Sequence, residues 1–594
     1  MAILPPGILF LGRNLLIPSF LILIVQAAVS HPVYGFGLAP LTALLVAFLT
    51  AFVAVISKSI LTTFSHVREA RRHGARLPPT ASGSMLGNID VLRRMLRASR
   101  EGYVGEAFSA LVDSLGPILN IRVLWSDKIF TVTPEHVKIV LATDFKNYIK
   151  GPSFISGMHS VLGSGVFNSD GEMWSFHRSM TRPYFSRDRY QHFDIFDRHA
   201  DRFISLIKGR MNEGLPVDFQ DLISRFTMDS ATEFLFGSCV ESLACTPPYP
   251  HNASANRPPI HDSEHAQQAN SFTAAYGEAM QQIAIRQRLG PMWPLFEMFK
   301  DKTAAPMAEV AKYIDPLIQA AIDKKDANAG VDKANEEELC LLDDLVRSTS
   351  DPKVLRDEIV NILIAGRDTT MVVLTNAIYF LSTHPEVAAR LREEVLSVVG
   401  PSARPTYDHI KQMKYMRAVL NETMRLYPPV PFNIRQSINP AIWPSPTPGE
   451  KPLYIPGGTT ILYSVLLMHR RPDLWGPTAD DFDPARFLAS DPRHKQTTSH
   501  PFQFLPFNAG PRICLGQQFA LNEMSFVLTR LLQNFDTLAL DVDALRPEDR
   551  PPAEWRGCPG RKGIEQFVAR AHLTLYAKGG LWVRMGSSEA DQSS

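Results

Sequence analysis

The chain has 594 residues, of which 61 are lysine or arginine and 60 are aspartate or glutamate, so its formal net charge is +1. This balance excludes nucleic-acid binding through bulk positive charge, and an apolar content of 45% excludes a wholly disordered chain. The 5 cysteines are too few and too scattered for a disulfide framework and form no CxxC pair. They argue against a structural zinc site and favour a reducing compartment.

The amino-terminal 60 residues hold two long apolar runs, about Leu15–Ser30 and about Phe36–Ser57. A membrane-spanning helix needs about 20 apolar residues. The second run reaches that length, whereas the first is shorter and contains Pro18. We therefore predict that residues 1–60 form a membrane anchor with one or two transmembrane helices. A cleaved signal peptide is the less favoured interpretation, because the apolar region is too long and lacks a small-residue cleavage site.

A basic cluster follows the anchor, at Arg68, Arg71, Arg72 and Arg76. Such a cluster next to a membrane helix marks the cytosolic side of the membrane. Prolines 78 and 79 then stop the helix, because proline fixes φ and restricts the residue before it. We predict a basic, proline-rich linker over residues 61–84 and one large domain in the cytosol over residues 85–594.

Helical periodicity dominates this large domain. The predicted helices are Val354–Thr383, Glu386–Val399, Met413–Leu426 and Gln517–Asn534. The predicted strands are Asn120–Trp125, Ile129–Val132, His572–Tyr576 and Leu581–Val583, each pair flanking a short turn. The sequence therefore predicts a mainly α fold with small β-sheets.

The most informative segment is FNAGPRICLG, which begins at Phe507. Cys514 follows a glycine-containing loop and precedes a predicted helix, where free amide donors and the helix dipole stabilise a thiolate. Gly510 and Gly516 allow the backbone to approach a flat ligand closely. Phe507 can pack over such a ligand, and Arg512 can pair with an anionic group on it.

A second unusual segment, AGRDTT from Ala365, lies inside the longest predicted helix. Glycine costs about 1 kcal/mol relative to alanine in a helix, and threonine is also a poor helix former. A buried helix that nevertheless carries Gly366, Asp368 and Thr369 suggests a functional site. The alternative is a structural helix that is capped or kinked at this point.

The segment around Cys514 resembles the haem-binding loop of the cytochrome P450 family, F-x-x-G-x-R-x-C-x-G, at every specified position. The resemblance implies the cytochrome P450 haem-thiolate fold, mainly α with small β-sheets, preceded by the membrane anchor. It implies haem b as cofactor, with the thiolate of Cys514 as axial ligand of the iron. Phe507, Arg512 and Gly516 would then contact the haem.

Other motifs extend this resemblance over most of the chain. Glu422 and Arg425 resemble the family's E-x-x-R pair, and Arg486 resembles the third member of its structural charge network. Ala485 stands where the family more usually has a glutamate. The AGRDTT segment resembles the oxygen-activation motif, in which Asp368 would relay protons and Thr369 would hold dioxygen by a hydrogen bond.

Trp174 and Arg178 resemble the family's W-x-x-x-R motif, and their spacing places both on one helix face. The resemblance implies that both reach a haem propionate, and that Arg435 binds a propionate as well. His177, which precedes Arg178, could donate to the propionate as well. The alternative for Arg435 and for His177 is a surface ion pair or a solvated side chain.

The resemblance implies a monooxygenase that inserts one atom of O₂ into hydrophobic substrates. About eighty residues follow Cys514, too few for a reductase domain, so electrons should come from NADPH through a separate flavoprotein reductase. The expected location is the endoplasmic reticulum membrane, with a monomeric catalytic domain facing the cytosol. A haem-thiolate isomerase or dehydratase and a non-catalytic haem carrier or sensor are the rival functions.

The segments 144–151, 168–174, 365–370 and 504–523 resemble the fungal alkane- and fatty-acid-hydroxylating branch of the family and its wood-rot relatives. The substrate-contacting regions implied by the family are 154–167, 362–370 and 430–434, and they are almost all apolar. Apart from Arg367, they contain no cation suited to hold a carboxylate. We expect broad oxidation of xenobiotics such as polycyclic aromatics, of fatty acids or alkanes, or of terpenoid secondary metabolites. The alternative is a dedicated biosynthetic hydroxylase of one secondary metabolite.

Overall fold

The structure is a computed structural model that describes residues 4–13, 20, 24, 40–186, 191–253, 263–327 and 340–587. The α-helices of these residues are α1 (Pro6–Leu11), α2 (Pro40–Arg72), α3 (Ile89–Arg100), α4 (Glu106–Leu115), α5 (Pro134–Lys138), α6 (Pro152–Leu162), α7 (Gly171–Ser186), α8 (Gln191–Asn212), α9 (Phe219–Phe236), α10 (Glu264–Leu289), α11 (Ala304–Ala327), α12 (Leu341–Ser348), α13 (Pro352–Thr383), α14 (Pro385–Val398), α15 (Tyr407–Gln412), α16 (Lys414–Leu426), α17 (Val465–Met468), α18 (Pro472–Trp475), α19 (Arg493–Ser499) and α20 (Gln517–Asn534).

Short strands accompany the helices. They are β1 (Thr80–Ala81), β2 (Ile118–Ile121), β3 (Lys128–Thr131), β4 (Tyr148–Ile149), β5 (Val217–Asp218), β6 (Phe432–Ser437), β7 (Ala441–Trp443), β8 (Leu453–Ile455), β9 (Thr460–Ser464), β10 (Phe535–Leu540), β11 (Ala569–Ala571), β12 (Leu575–Ala577) and β13 (Trp582–Ser587). The predicted mainly α class with small sheets is confirmed.

The four predicted helices are present as α13, α14, α16 and α20, with ends that differ by at most two residues. Local signals explain the boundaries of α13. The side chain of Asp351 caps the helix by accepting from the amides of Lys353 and Val354, and Pro352 occupies its first turn. Pro385 prevents the helix from continuing and begins α14.

The largest sheet has six strands in the order β1-β2-β3-β9-β6-β4. The predicted hairpin is β2 and β3, which pair antiparallel with Ile118 opposite Thr131, and β3 then pairs parallel with β9. At the carboxyl end, β12 and β13 flank the predicted turn but do not pair with each other. Strand β12 pairs with β11, whereas β13 pairs with β10 and β5.

Helix α13 crosses the centre of the protein and packs against α9, α16 and α20. Its apolar side chains enter two large buried clusters, one along the amino-terminal half of the helix and the other along its carboxyl-terminal half. Leu363 and Leu374 are examples, both fully buried. A helix apolar on most of its circumference is expected in this central position. The polar segment from Ala365 to Thr370 therefore interrupts an otherwise buried apolar element.

The predicted charge network is present between α16 and the short helical turn that contains Arg486. Glu422 accepts hydrogen bonds from Arg425, Nε to Oε2 at 2.7 Å and Nη2 to Oε1 at 2.8 Å. It also accepts from Arg486 Nε at 3.0 Å. Arg425 further donates to the carbonyl oxygens of His469 and Ala479, so the pair joins three parts of the chain. All three charged side chains are buried.

The amino-terminal part differs from the predicted segmentation. Helix α2 runs without a break through residue 60, the predicted end of the anchor, to Arg72. Near its carboxyl end it contacts the large domain, where Arg122 Nη2 donates to Ser59 Oγ and Thr63 Oγ1, each at 2.7 Å. Among the helices of the described ranges, none combines the length and apolarity needed to cross a bilayer. Most of the first apolar run lies outside the described residues.

Candidate functional site

An internal cavity of about 1020 Å³ lies between α7, α13, the strands β6 and β9, and the loop before α20. All three predicted substrate-contacting regions contribute to its wall, with Leu162, Ile362 and Phe432 as examples. Cys514 and Thr369 line the same cavity. A more open cleft of about 1730 Å³ lies between α1 and α10, and none of the predicted site residues lines it.

Cys514 lies at the cavity wall, three residues before α20 begins at Gln517. Its amide donates to the carbonyl of Phe507 at 3.0 Å, which closes the loop between the two residues. The side chain is exposed to the cavity although the residue lies deep in the protein. A thiol in this position can reach a ligand inside the cavity.

The electrostatics of this thiol differ from the sequence prediction of a stabilised thiolate. Burial raises the pKa of Cys514, and this effect outweighs the hydrogen bond from the Gly516 amide and the nearby charge of Arg178. The helix terminus alone therefore does not ionise the thiol. A bound metal cation would, because coordination deprotonates a thiol outright.

The two loop glycines have different roles. Gly510 has a φ of 69°, and a Cβ there would lie 1.8 Å from the carbonyl oxygen of Leu141. Only glycine fits, but the reason is a close backbone contact with Leu141 and not the approach of a ligand. Gly516 lines the cavity, and a Cβ there would meet only the ring of Phe185 at 3.6 Å.

Arg512 joins the Cys514 loop to the start of α7. Its Nη2 donates to the carbonyl of Ser169 and to Oδ1 of Asp170, both at 2.9 Å. Its guanidinium also lies 4.6 Å from the ring centroid of Trp174. Burial and the neighbouring Arg435 lower the pKa of Arg512 to about 10. Ser169, Asp170 and Trp174 therefore hold Arg512 in place at the cavity. The positive charge of Arg435 lies near it.

Arg178 and Arg435 complete the predicted cationic set. Arg178 Nη2 donates to the carbonyl of Ile513 at 2.9 Å, next to Cys514. Arg435 on β6 is 2% exposed and donates from Nη1 only to its neighbouring carbonyl, Ile434, at 2.7 Å. The alternative of a surface ion pair for Arg435 is therefore wrong. Both arginines, like Trp174, line the cavity.

Sequence reasoning did not identify Lys150 and Asp170 as part of this group. Burial, together with Arg435 and Arg512, lowers the pKa of Lys150 well below its ordinary value. Asp170 binds the backbone amides of Lys150 and Gly151, at 2.8 and 3.1 Å, as well as Arg512. Neither residue carries a motif of its own, so only their spatial position reveals them.

Thr369 and Gly366 face the cavity from α13. The hydroxyl of Thr369 donates to the carbonyl of Ala365 one turn earlier, at 2.6 Å, which leaves its oxygen able to accept a hydrogen bond. A Cβ on Gly366 would approach only Ala231, at 3.8 Å. The helix continues through this segment without a break.

Asp368 does not belong to the cavity wall. It is buried on another face of α13, where its Oδ1 accepts from Nη1 of Arg367 at 2.6 Å. The guanidinium of Arg367 lies 5.4 Å from the ring centroid of Tyr276 on α10. The two predicted catalytic residues, Asp368 and Thr369, are neighbours in sequence. In the structure they lie on different sides of α13, and only Thr369 lines the cavity.

The amino-terminal half of α13 holds the loop over residues 163–167 in place. Asp357 accepts from the Ser164 amide at 2.9 Å, and Asn361 accepts from the Phe167 amide at 2.9 Å. Glu358 accepts from the Val166 amide and lies 2.8 Å from Nδ1 of the buried His177. His177 therefore pairs with a structural carboxylate and is neither solvated nor part of the cavity wall.

These residues fit a haem. The cavity brings the thiol of Cys514 together with four cations, Lys150, Arg178, Arg435 and Arg512, and one of them, Arg512, pairs with Asp170, which does not line the cavity. The buried Nε atoms of Arg435 and Arg512 have no hydrogen-bond partner among the described residues. Unused donors and excess positive charge suit the propionates of a haem whose iron faces Cys514.

Comparison with known proteins agrees with this geometry. Residues 78–555 match the family model described as Cytochrome P450. Cytochrome P450 monooxygenase himC of Aspergillus japonicus is 35% identical over 502 residues, which cover 84% of this chain and 81% of the relative. Cytochrome P450 52A13 of Debaryomyces hansenii is 32% identical over 551 residues, covering 91% and 98%.

Cytochrome P450 52A6 of Candida tropicalis is similar to the same extent, at 33% identity over 550 residues that cover 90% of this chain and 96% of the relative. The family match over residues 78–555 includes the Cys514 loop and the helix α13. The chain belongs to the cytochrome P450 family of monooxygenases, which use a haem whose iron is bound by a cysteine thiolate.

Proposed function

We propose that this cytochrome P450 oxidises apolar small molecules inside the described cavity, with Cys514 as the iron ligand. The observation that carries the proposal is that the Cys514 thiol and the Thr369 hydroxyl line the same, mainly apolar cavity. When bound there, haem supplies the activation of O₂ and the transfer of one oxygen atom to the substrate. The protein supplies binding, orientation and protons.

Cations around the Cys514 loop hold the cofactor in this proposal. Arg435 and Arg512 offer unused Nε donors, and Arg178 lies beside Ile513 of the same loop. Guanidinium groups pair with carboxylates through two parallel hydrogen bonds, which fixes orientation as well as position. Trp174, Phe507 and Gly516 line the same cavity as the thiol.

Thr369 and Asp368 deliver protons in this proposal. The Thr369 hydroxyl can accept and pass on a proton at Oγ1, on the cavity side of α13. Asp368 Oδ1 accepts from Arg367, so Oδ2 of this carboxylate would first take up a proton from solvent. Asp368 would pass that proton toward Thr369, whose Oγ1 would receive it while releasing its own hydroxyl proton into the cavity.

A substrate gains about 25 cal/mol of binding free energy for each Å² of its apolar surface that the cavity removes from water. Such a site discriminates weakly between hydrophobes that differ by a methylene group. We therefore favour broad oxidation of hydrophobic compounds, namely xenobiotics such as polycyclic aromatics, fatty acids or terpenoid secondary metabolites. A dedicated biosynthetic hydroxylase would instead accept one compound.

The proposed partners are a separate NADPH-dependent flavoprotein reductase and the endoplasmic reticulum membrane, with a monomeric catalytic domain in the cytosol. Exposed apolar side chains along α2 support membrane association, and Leu61 and Phe64 are each 69% exposed. Large apolar groups in contact with water commonly mark an interaction surface. Basic residues at the end of the same helix would face anionic headgroups on the cytosolic side.

Reconstitution tests the reaction. The purified chain with haem, reductase, NADPH and O₂ is presented with a fatty acid, a polycyclic aromatic compound and a terpene. We expect hydroxylated products from more than one class. Turnover of a single compound with no binding of the other classes would favour the dedicated hydroxylase, and haem binding without any turnover would favour a carrier or sensor.

Replacement of Cys514 by serine tests the ligand. The reduced protein with carbon monoxide should lose the spectral band of a thiolate-bound haem. Cys340→Ser is the control, because Cys340 lies at the start of α12 and does not line the cavity. A Cys514→Ser protein that kept the thiolate spectrum would overturn the assignment.

Alkaline carbonate extraction of the cell membranes tests the location. The full chain should remain with the membrane pellet, and replacement of Leu61 and Phe64 by serine should weaken its retention in milder salt washes. Recovery of the unmodified chain in the soluble fraction under all conditions would contradict membrane association.

A further inference from the structure

Every backbone amide from residue 163 to residue 168 is hydrogen-bonded, although this segment belongs to the loop between α6 and α7. The amides of Gly163 and Gly165 donate to carbonyl oxygens of α6, at 2.9 and 3.2 Å. The amide of Asn168 donates to the carbonyl of Gly165 at 2.9 Å. The loop can move only if several of these bonds break, which makes its local opening unfavourable.

The other three amides bind buried side chains near the amino-terminal end of α13, and we call these three side chains the loop clamp. Two of them are adjacent in sequence and the third follows one turn later, so all three lie on the side of the helix that meets the loop. The amides of Ser164, Val166 and Phe167 donate to Asp357, Glu358 and Asn361, at 2.9, 3.2 and 2.9 Å respectively.

Two members of the loop clamp make a second contact with the same segment. Asp357 also accepts from Ser164 Oγ at 3.1 Å, and Asn361 donates from Nδ2 to the carbonyl of Leu162 at 2.9 Å. The loop clamp itself does not line the cavity. The residues that it holds do line the cavity, namely Leu162, Val166 and Phe167.

Two glycines allow the loop backbone to lie directly on the loop clamp. A Cβ at Gly163 would be 2.0 Å from Cγ of Asp357, and a Cβ at Gly165 would be 2.4 Å from Nδ2 of Asn361. Gly163 in addition has a φ of 51°, in the region that favours glycine. The loop and its clamp therefore fit together only because these two positions carry no side chain.

Glu358 also connects the loop to α7. Its Oε2 accepts from the Val166 amide and lies 2.8 Å from Nδ1 of His177, and the side chains of Glu358 and His177 are fully buried. The next residue of α7, Arg178, lines the cavity and donates to the carbonyl of Ile513. One carboxylate therefore fixes the position of the loop relative to the helix that contacts the segment before α20.

A segment that is already ordered loses little further conformational entropy when a ligand binds to it. We propose that the loop clamp holds residues 162–167 as a fixed wall of the cavity, and that this wall determines how a substrate is oriented. Asp357, Glu358 and Asn361 are then positioning residues, because they act on the substrate only through the loop. The part of the proposal that concerns orientation rests on the proposed function, whereas the rigidity of the wall does not.

Hydrogen exchange of the loop amides tests the rigidity. The haem-loaded chain is measured alone and with clotrimazole, an apolar azole whose binding to the haem is followed by its spectral shift. Peptides that cover residues 163–167 should be protected from exchange in the absence of the azole. Addition of the azole should leave this protection nearly unchanged, because the wall is already in place.

Asn361→Ala removes the acceptor of the Phe167 amide and the donor to Leu162. Exchange in the loop should become faster by about tenfold, as expected for the loss of one or two buried hydrogen bonds. Asn376→Ala is the matched control, because Asn376 is a buried asparagine of the same helix that donates to the carbonyl of Val372 at 2.8 Å and does not line the cavity. The control should leave the loop protected.

Glu358 provides a conservative pair of variants. Glu358→Gln keeps an oxygen that can accept from the Val166 amide, so it should retain most of the protection. Glu358→Ala removes that oxygen and should expose the loop amides to exchange. A role of Glu358 in general stability alone would not distinguish the two variants by exchange within the loop.

The products test the orientation of the substrate. Each variant is given the compound that the unmodified enzyme oxidises best among a fatty acid, a polycyclic aromatic compound and a terpene. The ratio between the two most abundant hydroxylated products should change in Asn361→Ala and in Glu358→Ala. It should stay close to that of the unmodified enzyme in Glu358→Gln and in Asn376→Ala.

Loop amides that exchange rapidly in the unmodified protein, or that become protected only when clotrimazole binds, would overturn the fixed wall. A loop that loses its protection in Asn361→Ala while the product ratio stays constant would overturn its role in orientation. If none of the three compounds is oxidised and the exchange results are as expected, the proposed function fails and the fixed wall stands. If products form but the variants leave exchange unchanged, the fixed wall fails and the proposed function stands.

Discussion

Single residues on α13 show how closely function and stability are linked in this protein. Thr369 lines the cavity, while its neighbour Asp368 forms a buried ion pair on another side of the helix. The same six-residue segment therefore supplies a hydroxyl to the active site and a charge pair to the core.

Replacement of Thr369 by alanine should keep haem binding but uncouple the reaction. The variant removes the hydroxyl that accepts and passes on a proton, a contribution of about 100-fold or more in many enzymes. We expect a clear fall in product formed per NADPH consumed and a matching rise in hydrogen peroxide. Thr369→Ser, which keeps the hydroxyl, should recover most of the coupling. Unchanged coupling in Thr369→Ala would exclude this role.

Asp368 allows its structural and proton-delivering roles to be separated. Asp368→Asn leaves the buried guanidinium of Arg367 without an ionic partner, which costs about 3–5 kcal/mol. The double variant Arg367→Met, Asp368→Asn removes both charges and should recover much of this stability. Product formation should stay low in both variants. Recovery of activity together with stability would show that Asp368 has only a structural role.

Glu523 on α20 gives a prediction about pH. It is buried, it accepts from Ser230 Oγ at 2.8 Å, and burial raises its pKa from 4.5 to about 7. Between pH 4.5 and about pH 7, the unfolded chain has released the carboxyl proton of Glu523, whereas the folded chain still retains it. The contribution of Glu523 is therefore present at low pH and is lost as the pH rises from about 4.5 to 7, with a total of roughly 3 kcal/mol.

Glu523→Gln cannot ionise and should remove this pH dependence. Relative to the unmodified protein, the variant should gain thermal stability between pH 5 and pH 8. The measurement is the midpoint of thermal unfolding at a series of pH values. A constant difference between the two proteins over this interval would show that Glu523 retains an ordinary pKa.

At the scale of single elements, α13 combines a strong helix signal with a local weakness at Gly366. The apolar pattern, the Asp351 cap and Pro352 determine where the helix begins, and Pro385 determines where it ends. Gly366 lowers the intrinsic helix propensity in the middle of the element. The wall of the cavity lacks a side chain at this point, which leaves space for ligands.

Gly366→Ala should stabilise the protein by up to about 1 kcal/mol, because the new methyl group approaches only Ala231 at 3.8 Å. The same methyl group narrows the cavity, so large ligands should bind more weakly. Gly277→Ala on α10 is the matched control, since a Cβ there has no neighbour within 4 Å and Gly277 does not line the cavity. The control should gain similar stability without any change in ligand binding.

At the scale of the whole molecule, the buried network of Glu422, Arg425 and Arg486 joins segments that are distant in sequence. Arg425 donates to the carbonyls of His469, Ala479 and Asp481, and Arg486 donates to that of Thr478. One of these segments contacts the chain just before the Cys514 loop, where His469 Nε2 accepts from the Leu505 amide at 2.9 Å. We therefore expect the network to affect the haem site although its three charged residues do not line the cavity.

Arg425→Met should destabilise the protein by about 3–5 kcal/mol, because it leaves Glu422 partly unpaired in the core. Arg404→Met is the control, since Arg404 and its partner Asp194 are both exposed. Thermal unfolding and haem content check the prediction. Loss of haem and an early thermal transition are expected in the first variant, and neither in the second. Equal behaviour of the two proteins would show that the network has no structural importance.

Local sequence patterns were enough to predict four of the helices and the chemical groups of the Cys514 loop. Periodicity, proline and capping residues act locally, so the helices α13, α14, α16 and α20 could be predicted within two residues. The motif around Cys514 is equally local, because one continuous segment carries the thiol, the two glycines and Arg512. Spacing along a helix placed Glu422 beside Arg425.

Which charges gather around Cys514 and which strands pair became clear only in the folded protein. Lys150 and Asp170 belong to no functional motif, and they meet Arg512 because distant segments fold together at the amino terminus of α7. The directions of Asp368 and Arg367 depend on packing against α10. The ionisation of Cys514 depends on burial, which opposes the helix terminus that the sequence shows. Burial and long-range pairing are properties of the folded chain, so no local pattern could reveal them.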